Sequence, residues 1–213
     1  MFLLALLAPL PALAAPVVPA TAPVILVFGD SLSAGYGIRA QYGWVALLAH
    51  KISAAGYAFN VVNASISGET TDGGLARLPR ALALHHPGIV VLELGGNDGL
   101  RGLPVAATRT NLAQMIRLAQ AAGARVLLVG IEIPPNYGQR YTSLFQAMYP
   151  ELASAQKVPL VPFLLQGVAL DPTLMQQDKI HPNERGQPLL LANVWPKLRP
   201  LLAAAGGAKQ RQR

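Results

Sequence analysis

The sequence predicts one α/β domain built on a parallel sheet of five strands, with helices packed against both faces. Five short apolar runs rich in β-branched residues recur along the chain. Longer segments with apolar residues at three- and four-residue spacing separate them. The apolar runs are continuous rather than alternating, which marks strands covered on both faces and hence a parallel sheet. A chain of 213 residues, 52% hydrophobic and 13% charged, has the length and the apolar content for a sizeable core and is not a disordered polymer.

The first strand is residues 24–28, closed by Gly29. Trp44, Leu47, Leu48 and Ile52 then set a helix that Gly56 ends. Residues 58–62 form the second strand and run into a polar stretch, 63–71. Leu75, Leu78 and Leu82 mark a helix that reaches His85 and stops before Pro87. The third strand is 89–94. Thr108 is a candidate N-cap for the helix holding Leu112, Met115, Ile116 and Ala119, which ends at Gly123. Residues 126–129 are the fourth strand, 141–156 a helix and 158–161 a short fifth strand. A last helical stretch, 183–204, is interrupted by Pro188 and Pro196. Right-handed crossovers place helices on both sides of such a sheet. Ligands bind outside the carboxyl ends of the strands, so the residues just after 28, 62, 94, 130 and 161 carry the functional question.

Composition removes several classes of chemistry. The chain has no Cys, which excludes disulfides, CxxC redox sites, thiolate metal sites and Cys nucleophiles. The net charge of +7 includes Lys209, Arg211 and Arg213 in a Gly/Gln-rich tail, 205–213; with those three set aside, +7 becomes +4. The remaining cations are scattered, with no arginine-rich run or stacking-aromatic pattern, so no nucleic-acid partner is expected. A transient contact with an anionic lipid surface is compatible with the charge. Residues 1–14 read as a secretory signal, with an apolar run and the small-residue end Ala12-Leu13-Ala14, cleaved after Ala14. No Lys or Arg precedes that run, and Pro9 and Pro11 break a stretch already too short to span a bilayer. Export to the periplasm or beyond is therefore expected. Residues 15–23 form an extended lead-in to a domain at 24–204.

Four segments carry candidate chemistry. Gly29-Asp30-Ser31-Leu32-Ser33 puts a serine at the tip of the first strand, well placed as a nucleophile, although by itself such a serine more commonly reads as a turn or cap residue. Gly68, after the second strand, offers a backbone N–H that no side chain shields. Asn97, in Gly95-Gly96-Asn97-Asp98-Gly99, places an amide at the end of the third. Asp178 and His181, three apart, fit one loop in which carboxylate meets imidazole and fixes its tautomer. His50, His85 and His86 lie in helical patterns without an acid spaced for a site, and no metal is expected.

Together these segments resemble the SGNH (GDSL) hydrolases, named for Ser, Gly, Asn and His, and within them the exported thioesterase and lysophospholipase members. The similarity runs from about residue 25 to 202 and includes GDSLSAGYG, VVNASISGET, GLARLP, VLELGGNDGLRG, PNYG and IHPN. It implies a flavodoxin-like three-layer α/β/α sandwich. It also implies Ser31 as nucleophile, His181 as general base, Asp178 as its orienting partner, and an oxyanion hole from the Ser31 and Gly68 N–H groups and the Asn97 side chain. An acyl-serine intermediate, no cofactor, and a monomer acting on small acyl esters and thioesters follow. The motif differs from the GxSxG elbow, because Ser33 stands where that pattern has glycine. Leu100 and Leu103 on one side, and Ile133, Pro134 and Tyr137 on the other, are the expected lips of an acyl groove. Glu132 beside them is an acid that would weaken binding of anionic head groups. Two rivals remain. One is a carbohydrate or acetyl esterase on the same scaffold. The other is a nucleotide- or flavin-binding module suggested by Gly35-Tyr36-Gly37-Ile38-Arg39-Ala40, although that segment begins too far beyond its strand.

Overall fold

The computed structural model describes residues 22–204. The signal-like residues 1–14, most of the lead-in and the tail 205–213 lie outside the described residues. Five parallel strands pair in the order β2-β1-β3-β4-β5. They are β1 (Val24–Gly29), β2 (Asn60–Asn63), β3 (Ile89–Glu93), β4 (Arg125–Val129) and β5 (Leu160–Val161). Ile25 stands opposite both Val61 and Ile89, Val90 opposite Val126, and Leu128 opposite Leu160. Every residue of β3, β1 from Ile25 and β4 from Val126 are buried, as continuous apolar runs require.

Among the described residues seven α-helices accompany them: α1 (Ser31–Ala34), α2 (Trp44–Ala54), α3 (Thr71–His85), α4 (Gly96–Leu100), α5 (Val105–Ala121), α6 (Gln139–Gln156) and α7 (Gln187–Ala204). Helix α3 packs on α5 and α5 on α6, while α2 packs on α7. Chain order accounts for the two layers. From β1 to β2 the sheet grows in one direction, and from β2 through β3, β4 and β5 it grows in the other. With right-handed crossovers, that reversal puts α2 on the opposite face from α3, α5 and α6. The result is the expected three-layer α/β/α sandwich, with a crevice between the carboxyl ends of β1 and β3 where the order reverses.

Several boundaries differ from the sequence reading, each for a physical reason. Strand β2 begins at Asn60 rather than 58, because β1 offers no partner earlier; the Asn60 N–H donates to the Pro23 carbonyl at 3.0 Å. Strand β5 is two residues rather than four, flanked by Pro159 and Pro162, which cannot donate to a ladder. Helix α5 starts at Val105 with Pro104 at its cap position, so Thr108 is a buried residue inside the helix and not its cap. Helix α7 continues from Gln187 through Pro196 and Pro200 without interruption. Pro188 falls in its first turn, where an N–H would have no intrahelical acceptor. Helices α1 and α4 are too short for any periodicity to announce them.

The core fills both sides of the sheet, with Trp44, Phe28, Phe145 and Tyr149 fully buried. Tyr149 donates its hydroxyl to the Leu94 carbonyl at 3.0 Å, beneath the end of β3. Gln187 opens α7 and accepts the Trp44 N–H at 3.0 Å, joining α2 to α7. At the end of β4 the Gly130 N–H donates to the Val161 carbonyl at 2.8 Å, and a Cβ on Gly130 would lie 2.2 Å from the Pro162 carbonyl oxygen. Around Gly88 the nearest atom to such a Cβ is 3.8 Å away. Gly130→Ala is therefore expected to destabilise the chain by roughly 1–3 kcal/mol, and Gly88→Ala by about 0.5 kcal/mol or less. Equal urea midpoints for the two variants would contradict this packing.

Candidate active site

Strand β1 stops at Gly29, where the backbone passes so close to β3 that a Cβ would lie 2.5 Å from Glu93 Oε2. Asp30 caps the next helix, its Oδ1 accepting the Leu32 N–H at 3.0 Å. Ser31 is the first residue of α1, so its hydroxyl stands at the tip of an inner strand and its N–H has no intrahelical acceptor.

His181 arrives from 150 residues away on a loop closed by the antiparallel bridge between Met175 and Pro182. The Gln176 N–H donates to the His181 carbonyl at 2.8 Å, and Lys179 takes the left-handed conformation (φ 57°) that the turn requires. Asp178 Oδ1 accepts the N–H groups of Ile180 (2.9 Å) and His181 (3.0 Å), while Oδ2 lies 2.7 Å from His181 Nδ1. His181 Nε2 is 2.8 Å from Ser31 Oγ. The carboxylate can only accept, so Nδ1 carries the proton and Nε2 is free to accept from the serine. Burial alone would raise the Asp178 pKa, but the His181 backbone and ring bonds and the Ile180 N–H bring it down to about 2.

Three ties hold this loop against the serine segment. Gln176 Nε2 donates to the Tyr36 carbonyl at 2.8 Å. Arg39 makes a two-pronged pair with Glu184, at 2.8 and 2.9 Å. The Tyr36 ring lies 4.7 Å from the imidazole, centroid to centroid.

Gly68 adopts φ 79°, a conformation that favours glycine, and a Cβ there would meet nothing within 4 Å. Backbone conformation, not crowding, selects glycine at this turn. Asn97 Nδ2 donates to the Glu69 carbonyl at 3.0 Å and to Asp30 Oδ2 at 3.1 Å, which brings α4, the Gly68 turn and α1 to one point. Arg101 donates to the Gly68 carbonyl at 3.0 Å.

Two supporting residues escaped the sequence reading. Arg77 on α3 pairs with the Glu69 carboxylate, donates to the Ala64 carbonyl at 2.7 Å and stacks 3.8 Å over the Phe28 ring, gripping both ends of the Gly68 loop. Buried Asp98 accepts the Thr71 N–H at 2.9 Å and the hydroxyls of Thr71 and Thr108, tying α4 to α3 and α5. Both lie within motifs already noted, GLARLP and GGND, but their partners are distant in the chain.

Residues 27–189 match the GDSL-like lipase/acylhydrolase family. The chain belongs to that family. It is 54% identical over 183 residues to the esterase TesA of Pseudomonas aeruginosa, covering 86% of this chain and 91% of that one. Its identity to the thioesterase 1/protease 1/lysophospholipase L1 of Escherichia coli K12 is 48% over 183 residues, 86% of each chain. A crystal structure of TesA superposes with a TM-score of 0.82 at 54% identity, covering 84% of this chain and 99% of that one.

Beside the serine this GDSL hydrolase has a cleft of about 840 Å³. Leu100, Ile133 and Pro134 line it, as do Phe163, Leu165 and Met175, which the sequence reading did not include. Leu103 and Tyr137 do not. Tyr137 turns its hydroxyl to the Leu100 carbonyl (2.8 Å) and its ring toward Tyr141, while the Leu103 carbonyl accepts from Tyr141 at 2.7 Å. Both brace the lip from behind. Glu132 lines the cleft and accepts from Gln146 Nε2 at 3.2 Å. Gly35 and Gly37 are tight-turn glycines (φ 77° and 72°), and no dinucleotide-type helix follows them.

Under the site of this GDSL hydrolase lies a carboxyl group with no role in the sequence reading. Glu93 is fully buried; Ser33 Oγ donates to its Oε2 at 2.5 Å and its Oε1 has no partner. Burial first, and the Asp30 charge second, push its pKa well above the ordinary range. Burial likewise raises Asp30 to about 6, against the pull of the Leu32 N–H, His181 and Asn97. A raised carboxyl holds a proton in the folded chain that the unfolded chain releases. Stability from Glu93 thus falls as pH rises above its ordinary 4.5, and that from Asp30 falls between 3.8 and about 6. Asp178 has the opposite sign, its contribution being lost as pH drops from 3.8 toward about 2. Urea midpoints measured from pH 4 to 8 should decline less steeply for Glu93→Gln than for the wild type; identical slopes would mean that Glu93 does not hold the proton.

Proposed function

We propose that the protein hydrolyses carboxylic esters and thioesters of acyl chains through an acyl-serine, with lysophospholipids, acyl thioesters and aryl esters as its substrate class. The observation that carries this reading is the unbroken chain Asp178–His181–Ser31, at 2.7 and 2.8 Å, in a cleft that Asn97 also lines. In this reading Ser31 Oγ attacks the acyl carbonyl while His181 Nε2 takes its proton, and Asp178 stabilises the imidazolium. The N–H groups of Ser31 and Gly68 and the Asn97 amide face the developing oxyanion. The carbon–oxygen or carbon–sulfur bond then breaks, and His181 returns the proton to the departing alcohol or thiol. Water, deprotonated by the same imidazole, releases the acid and regenerates Ser31.

The apolar walls of the cleft favour an acyl chain over a sugar, since each buried methylene contributes up to about 0.8 kcal/mol. Glu132 on the wall disfavours anionic head groups by like-charge repulsion. No helix among the described residues is long and apolar enough to cross a membrane. The signal-like residues 1–14 support export to the periplasm or beyond, where lysophospholipids and other esters are met more readily than acyl-CoA.

Ser31→Ala is expected to abolish turnover of a chromogenic acyl ester and labelling by a fluorophosphonate; wild-type turnover in that variant would end this reading. Asn97→Ala should lower kcat roughly 10²–10³-fold. On one preparation, kcat/KM should rise with acyl length from acetyl toward octanoyl. A profile that peaks at acetyl would favour the carbohydrate or acetyl esterase instead.

A further inference from the structure

Asn97 has no free amide hydrogen at rest. Its two N–H bonds go to the Glu69 carbonyl and to Asp30 Oδ2, both acceptors, which fixes the orientation of the amide. The Glu69 carbonyl comes with the Gly68 turn and needs no further explanation. Asp30 does. It is 2% exposed, it immediately precedes Ser31, and its other oxygen is already held by the Leu32 N–H at 3.0 Å. One carboxylate therefore bridges the end of β1, which carries the serine, to α4, which carries the amide, across the crevice where substrate would sit.

We infer that Asp30 is a positioning residue whose carboxylate aims the Asn97 amide nitrogen at the oxygen that becomes negative when Ser31 attacks. This rests on the serine-hydrolase reading and adds a residue that acts through Asn97. As the oxyanion forms, one Asn97 N–H is shared between its resting acceptor and the new oxygen. The amide stays in place because two acceptors from separate segments hold it, so little reorganisation is left for the moment of reaction. The titratable groups facing Asp30 are Glu93 from β3, Asp98 from α4 and His181 from the late loop. The imidazolium formed as Ser31 loses its proton offsets the Asp30 charge when the oxyanion appears. Without that offset, a carboxylate next to the oxyanion would oppose the reaction.

The test is a double-mutant cycle on Asp30→Asn and Asn97→Ala, read on a chromogenic acyl ester. Asn at position 30 keeps an oxygen for the Leu32 N–H but turns an NH₂ group toward that of Asn97. In the wild-type background D30N should lower kcat about 10²-fold and leave KM within about threefold, with little change in the thermal midpoint. In the N97A background it should cost nothing further in kcat, because the group it positions is gone. Losses that multiply independently, or full kcat in D30N, would overturn the inference. If D30N does not fold, Asp30→Ser, which retains a cap oxygen but is too short to reach Asn97, gives the same cycle and the same criteria. Fluorophosphonate labelling of the wild type at Ser31 checks the parent reading separately. With labelling present and losses additive, only the role of Asp30 fails; with Ser31 unlabelled, the hydrolase mechanism fails first.

Discussion

Parallel pairing of β1 with β3 is the constraint on which the site depends. Gly29 stands in register with Glu93, so the two strands end at the same level and release their chains side by side. One chain turns into α1 with Ser31, the other into α4 with Asn97. Because the strand order reverses there, no crossover helix covers the gap. The Gly68 turn, leaving β2 one strand further along, comes within reach of both. The proposed nucleophile and its proposed donors thus share a locus by topology, before any side-chain contact is considered.

Topology does not supply the base of the proposed mechanism. His181 rides on a loop outside the sheet, and its placement depends on polar contacts from residues with no evident role in the reaction. Gln176, Glu184 and Gln187 each reach back to the segment between residues 36 and 44, and the Tyr36 ring flanks the imidazole. On the other side of the crevice Arg77 and Asp98 perform the equivalent service for the Gly68 turn and α4. The site is therefore two halves, one helix-anchored and one loop-anchored, that meet at Ser31.

Much of this was legible in the sequence because short turn motifs compress local geometry. Ser31, Gly68, Asn97, Asp178 and His181 each sit in a segment whose neighbours specify a turn; Asp178, His181 and Ser31 are hydrogen-bonded in sequence, Asn97 lines the same cleft, and the turn of Gly68 is tied to Asn97 through the Glu69 carbonyl. Residues whose purpose lies in a distant partner were not legible. Arg77 announces nothing of its grip on Ala64 and Glu69, and nothing beside Asp30 announces its bond to Asn97, 67 residues on. Leu103 and Tyr137 were misplaced because spacing says nothing about which way a loop side chain turns. The ends of β2 and β5 were misjudged because a strand begins and stops where its partner does, and the partner is elsewhere in the chain.

The two oxygens of Asp178 divide their labour, Oδ1 shaping the main chain of the loop and Oδ2 holding the ring. Lys179, not a glycine, occupies the left-handed position between them, so local hydrogen bonds and not intrinsic flexibility keep the turn closed. Truncating this acid would therefore confound two phenotypes, a collapsed loop and an unsupported imidazole. An amide isostere would separate them, since it can retain the architectural half of the job while surrendering the electrostatic one.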